Sequence, residues 1–70
     1  MKEGILIYDP SMDRLDILYA EGGSYGGLHC GTVMEVLIDD EWLPTRIEYA
    51  DDWYLVGIPC ESLSRLQARI

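Results

Sequence analysis

The sequence predicts a small, mainly antiparallel all-β domain, its five to six strands curled into an SH3-like or OB-like barrel. Two patterns carry this expectation. Short runs of strand length, alternating or wholly apolar, recur along the chain with almost no helical period. Turn-forming clusters separate them, at Asp9-Pro10-Ser11, Asp39-Asp40-Glu41 and Ala50-Asp51-Asp52. Size adds a constraint: 70 residues, 49% of them apolar or aromatic, make one domain, residues 1–70, around a single core. Curling the sheet limits the strand edges such a chain exposes.

The first run, Gly4-Ile5-Leu6-Ile7-Tyr8, stops before Pro10, whose ring fixes φ. Arg14 to Ala20 follows, with Leu15, Ile17 and Tyr19 facing one way and Asp16, Leu18 and Ala20 the other, completing an opening hairpin. Glu21 to Gly31 is a loop holding Gly22, Gly23, Gly26, Gly27 and Gly31. Its length suits either a functional loop or a plain crossover between hairpins.

Thr32 to Ile38 is a strand with Thr32, Met34, Val36 and Ile38 on one face and Val33, Glu35 and Leu37 on the other. From Trp42 to Tyr49 the inward set is Leu43, Thr45, Ile47 and Tyr49, and the outward set is Trp42, Pro44, Arg46 and Glu48. A turn centred on Asp40-Glu41 sets Glu35 opposite Arg46; one centred on Asp39-Asp40 moves that pair but keeps both faces. Pro44 has no N–H to donate, so the strand needs an edge or a bulge there. Trp53 to Ile58 is apolar on both faces, as a strand covered on both sides would be, and Pro59 ends it. Cys60 to Ser64 fits a turn or one short helical turn. Leu66, Ala68 and Ile70 then alternate with Gln67 and Arg69 in a last short strand. A short C-terminal helix from Ser62 is the alternative, since Leu63, Leu66 and Ile70 also fit helical spacing.

Five Lys and Arg against 13 Asp and Glu give a net charge of −8. Phosphate backbones and anionic membranes both demand basic patches, so neither direct nucleic-acid binding nor membrane binding is expected. A protein partner is compatible with this charge, a basic one included. Met1-Lys2-Glu3-Gly4 leads into only four apolar residues, short of a signal peptide's core, and no run approaches a membrane span. The expected location is cytoplasmic. Cys30 and Cys60 are then reduced thiols, each expected to behave as a small buried hydrophobe.

No residue set carries a recognisable chemistry. Adjacent residues of an extended segment point to opposite sides, which keeps His29 and Cys30 from forming a nucleophile pair. Cys30, Cys60 and His29 lack the spacing of a zinc site, which takes about four ligands. The acidic clusters sit at turns rather than in a cleft that would desolvate them. The glycine-rich loop has neither a GK[ST] ending nor a dinucleotide fingerprint. The sequence therefore implies no enzyme, metal or cofactor, and His29 is expected to be structural.

Three stretches together carry a resemblance: Tyr25-Gly26-Gly27-Leu28-His29-Cys30-Gly31; Glu35-Val36-Leu37-Ile38-Asp39 with Trp42-Leu43-Pro44-Thr45-Arg46-Ile47-Glu48; and Asp52-Trp53-Tyr54-Leu55-Val56-Gly57. In this order they resemble an uncharacterised family of small acidic proteins, of unknown function, encoded largely on mobile elements of Gram-positive bacteria. In that family a Gly often follows the acid at the turn where this chain has Asp40. The resemblance implies an accessory role in maintaining or transferring such an element, and no chemistry.

The leading expectation is a non-enzymatic protein-interaction module. Alternation puts Trp42, Pro44 and Arg46 on one outer face, and a tight turn at Ala50-Asp51 would add Trp53 to it. Tyr25 and His29 would flank that face from the glycine-rich loop. The competing picture packs both Trp into a second minicore under that loop, with Tyr25 or Leu28 as its lid. An acidic decoy mimicking nucleic acid is the alternative function, and an enzyme a distant third. A decoy needs a continuous track of charge, whereas these acidic clusters cap opposite ends of the Trp42–Tyr49 strand, roughly 25 Å apart.

Overall fold

Asp39 and Asp40 both take positive φ, 50° and 65°, which closes a two-residue turn and fixes the register of the hairpin around it. Ile38 then faces Glu41, Glu35 faces Pro44 and Val33 faces Arg46. The turn is thus centred on Asp39-Asp40, and Glu35 does not pair with Arg46. The computed structural model describes residues 1–59 and 63–70. Among these residues six strands form, β1 (Glu3–Asp9), β2 (Arg14–Tyr19), β3 (Val33–Ile38), β4 (Glu41–Tyr49), β5 (Trp53–Leu55) and β6 (Gln67–Arg69). They make a single sheet in the order β2-β1-β6-β3-β4-β5, with every neighbouring pair antiparallel.

The all-β expectation holds. Among the described residues no ladder joins the edge strands β2 and β5, so the sheet wraps one core without closing by hydrogen bonds. The C-terminal alternative is settled for the strand: Gln67–Arg69 is β6, and it lies at the centre of the sheet. The part of the expected Cys60–Ser64 turn at Cys60, Glu61 and Ser62 lies outside the described residues, as does the burial expected of Cys60.

The first hairpin turns on Asp9, whose Oδ1 accepts from the Ser11 amide at 3.0 Å and the Ser11 hydroxyl at 2.7 Å. Those bonds, the hydroxyl's foremost, hold the Asp9 carboxyl below its usual value. Leu6, Leu15, Ile17, Met34, Val36, Ile47, Leu55 and Ala68 bury one face of the sheet. Leu28 reaches it from the glycine-rich loop and Ile58 from beyond β5. The faces read for β3 and β4 hold along most of their length, with Thr45 buried and Leu43 half-buried. At the far end Tyr49 is 55% exposed, because the strand has run past the core there. Pro44 loses no ladder bond. The Ile47 amide points to Thr32 in the β3 direction, so alternation turns the Pro44 nitrogen the other way, where β5 has already ended.

Two expectations fail at β5. The run from Trp53 is not one strand covered on both sides, since Gly57 at φ 77° reverses the chain and Ile58 donates back to the Leu55 carbonyl. Leu55 and Ile58 are therefore both in the core while Tyr54 is exposed. The turn before β5 holds three residues, not two, and sets Trp53 opposite Tyr49. One extra residue in a turn flips every side chain that follows. Trp53 thus lies on the core side, away from Trp42 and Arg46.

Replacing Ile47, fully buried, with Ala should cost about 2–5 kcal/mol. Glu48→Ala on the opposite face should stay within about 0.5 kcal/mol. A Cβ at Gly4 would sit 2.3 Å from the Leu18 carbonyl oxygen, so Gly4→Ala should cost about 1–3 kcal/mol. Urea melts check all three, and a Glu48 loss matching that of Ile47 would show the faces inverted.

Candidate functional site

On the side of the sheet opposite the core, strand register assembles side chains from distant parts of the chain. Ile5 faces Leu18 on β2 and Gln67 on β6. One row further, Arg69 faces Glu3 on β1 and Glu35 on β3, and Glu35 faces Pro44 on β4. The Arg69 Nε donates to Glu35 Oε1 at 2.6 Å, and its guanidinium lies 4.3 Å over the Trp42 ring. A cation on the face of an indole, held from the other side by a carboxylate, fixes the orientation of that indole.

Trp42 forms one wall of a groove of about 310 Å³, with Ile5, Leu18, Tyr19, Gln67 and Glu3 among the residues that complete it. Ile5 and Leu18 also line a neighbouring hollow of about 440 Å³ with Ile7, Tyr8 and Arg65. Leu18, opposite Ile5 in the β1–β2 ladder, is an apolar side chain left 43% exposed on that face. The two depressions, together called the trough, meet at Ile5 and Leu18.

The sequence-derived candidates divide. Trp42, Pro44 and Arg46 share the outer face as expected, with Arg46 bonded to Glu48 at 3.0 Å and Pro44 exposed beside Val33. Trp53 is on the other side, edge-on to Tyr49 at 4.9 Å between ring centroids and packed against the core. The Trp pair therefore forms neither one surface nor one minicore. Tyr25 and His29 are exposed on the glycine-rich loop, which runs along the free edge of β2 rather than beside Trp42. His29 Nδ1 accepts from Arg14 Nη1 at 2.8 Å, since a guanidinium can only donate. Cys30 is exposed, contrary to the burial expected of it, because the loop turns only Leu28 inward.

The loop is fastened by a buried carboxylate. Asp16 Oδ1 accepts from its neighbour's amide, that of Ile17, at 2.8 Å and from the Gly26 amide at 3.0 Å. The Tyr25 amide donates to Ile17 and the Leu28 amide to Leu15, so the loop covers the edge of β2. Gly27, at φ 101°, passes so close to Met12 and Arg14 that a Cβ would meet them at 2.8 and 3.0 Å.

Sequence reasoning missed Ile5, Leu18, Gln67, Glu3 and Arg69 as parts of the site. One signal was present: Leu18 falls on the same face as Asp16, the face of β2 turned away from the core. The others depend on β6 lying between β1 and β3, which no local pattern announces. Among the described residues no group of three His, Cys, Asp or Glu converges. What the trough offers is apolar contact area beside an oriented indole, with the Glu3 carboxylate in its lining.

Residues 4–70 match the family model described as Domain of unknown function (DUF5348), and the chain belongs to that family. Its fold is similar to that of a protein from Ruminococcus gnavus whose crystal structure was determined by the Northeast Structural Genomics Consortium. The TM-score is 0.92 at 46% sequence identity, and the match covers 99% of this chain and 100% of that one. No curated protein matches it.

Asp16→Ala should release the loop, at a cost of about 1–3 kcal/mol for the amides left unpaired. Hydrogen exchange at Gly26 should then rise sharply while Ile47 stays protected. Unchanged exchange at Gly26 would mean that the carboxylate does not hold the loop.

Proposed function

We propose that this member of the DUF5348 family is a non-enzymatic protein-interaction module whose binding surface is the outer face of its sheet. The observation that supports this reading is the trough of Ile5, Leu18 and Trp42 on the side away from the core. In so small a domain nearly every large apolar side chain is needed inside, so a line of them outside calls for another explanation. Trp is also favoured at interface hot spots, and here Arg69 pre-orients it, which lowers the entropy lost on binding. An accessory role for a mobile element, carried out in the cytoplasm, suits such a module and rests on the family resemblance. An acidic decoy fits less well: the acidic turns lie at opposite ends of β4, and Glu48 between them is paired with Arg46.

The test uses tagged wild-type chain, Leu18→Ser and Trp42→Ser as bait in a lysate of the source cell, with thermal melts alongside. A partner held by the wild type and lost by both folded variants is the expected result. A partner retained by both variants would place the binding surface elsewhere.

A further inference from the structure

We infer that the hollow beside Tyr49 and Trp53 binds a methylated ammonium group, its positive charge seated against the two rings and answered by the Asp13 carboxylate. Trp53 lies on the core side of the sheet, so this site is separate from the trough and stands whether or not the trough binds a partner.

Three distant parts of the chain build it. The turn at residues 50–52 brings β5 back against the end of β4, so that Trp53 stands opposite Tyr49. The Gly31 amide donates to the Ile47 carbonyl at 2.7 Å and the Ile47 amide to the Thr32 carbonyl at 3.1 Å. These bonds tie the end of the glycine-rich loop to β4 and bring in Cys30. Asp13 comes from the first hairpin turn, at φ 52°. Together the four residues line a hollow of about 280 Å³, just below the usual range of ligand cavities. That size suits a small head group rather than a whole cofactor.

The chemistry of the walls selects the ligand. The rings of Tyr49 and Trp53 meet edge to face, 4.9 Å between centroids and at 69°. An edge-to-face contact leaves open ring faces that a stacked pair would cover. Those faces carry the negative side of the aromatic quadrupole, which attracts a cation within about 6 Å of the centroid. Asp13 adds a full negative charge to the same lining, and among the described residues no Lys or Arg lines the hollow. Its Oδ1 accepts from the Tyr8 hydroxyl, which holds the carboxylate in place, and it makes no ion pair among the described residues. Arg14, the next residue, sends its guanidinium to the Leu28 carbonyl and His29 instead. Two walls at a steep angle fit a rounded cation that touches both, whereas a flat guanidinium stacks on one ring. A bare ammonium is strongly hydrated; methyl groups weaken that hydration and add apolar contact with the rings.

The experiment titrates the full chain with choline and, separately, with the capped amino acid trimethyllysine, following backbone amides and indole N–H signals by NMR. Both should shift the Trp53 indole, Tyr49, Cys30 and Asp13 saturably while Leu18 and the Trp42 indole stay put. Tighter binding of choline supports the site with a free small molecule as its source; tighter binding of trimethyllysine supports it with a protein side chain. Tyr49→Leu should abolish the shifts and Asp13→Asn should weaken binding several-fold, each variant folded by its melting curve. Equal binding of the neutral alcohol in which carbon replaces the choline nitrogen would overturn recognition of charge. Equal binding of guanidinium would overturn the ammonium class. Shifts confined to other residues, or no saturable shift with either ammonium compound, would overturn the site.

Discussion

The fold depends on the crossing of β6 between β1 and β3, where Ala68 stands between Gly4 and Val36. Among the described residues no other ladder connects the β1–β2 hairpin to the β3–β4–β5 meander, so there the two halves become one sheet through this short segment. Its residues are sized for the task. Gly4 has no room for a Cβ against the Leu18 carbonyl, and Ala68 is fully buried. The pairing with β1 continues at both ends, from Lys2 with Ile70 to Leu6 with Leu66. There Arg65 takes φ 69° and its amide also reaches the Leu6 carbonyl, so the chain enters the sheet through a kink. Closing this contact early is costly in loop entropy, since its partners lie at opposite ends of the chain.

The same strand that completes the core builds the outer face. Ala68 points into the core, and the next residue, Arg69, reaches the other side, bonding Glu35 and covering Trp42. Alternation thus couples stability and surface chemistry within two residues. The division also explains how 70 residues can hold both a core and a binding face: one side of the sheet is filled, with Leu28 and Ile58 folded over from loops, and the other is left open. The glycine-rich loop serves the first of these tasks, covering the β2 edge and delivering Leu28, while Asp16 holds it in place.

Much of this was legible in the sequence, and the failures have definite causes. The β3 and β4 faces were readable because Glu35, Arg46 and Glu48 fall on one side by alternation and Met34, Val36, Thr45 and Ile47 on the other. The Asp39-Asp40 turn was readable too, because Asp tolerates the positive φ that both central residues adopt. Trp53 went to the wrong side because composition shows that Ala50-Asp51-Asp52 is a turn but not how many residues it spends. Ile58 was misplaced because Gly57 looks the same in sequence whether it ends a strand or reverses it. The central position of β6 was invisible for a different reason. A strand of Gln67, Ala68 and Arg69 has the polar look of an edge, and its burial comes from neighbours far away in sequence. The trough inherits that invisibility, since Ile5, Trp42 and Gln67 meet only once β6 is in place.

Native-state hydrogen exchange measures the central claim directly, through the Leu6 and Ile70 amides that bond across the β1–β6 seam. If β6 is the seam of the whole fold, both should exchange only by global unfolding, with the same opening free energy as Ile47 in the meander. If Leu6 and Ile70 open far more readily while Ile47 stays protected, the halves are stable without β6, and the account of the fold is wrong.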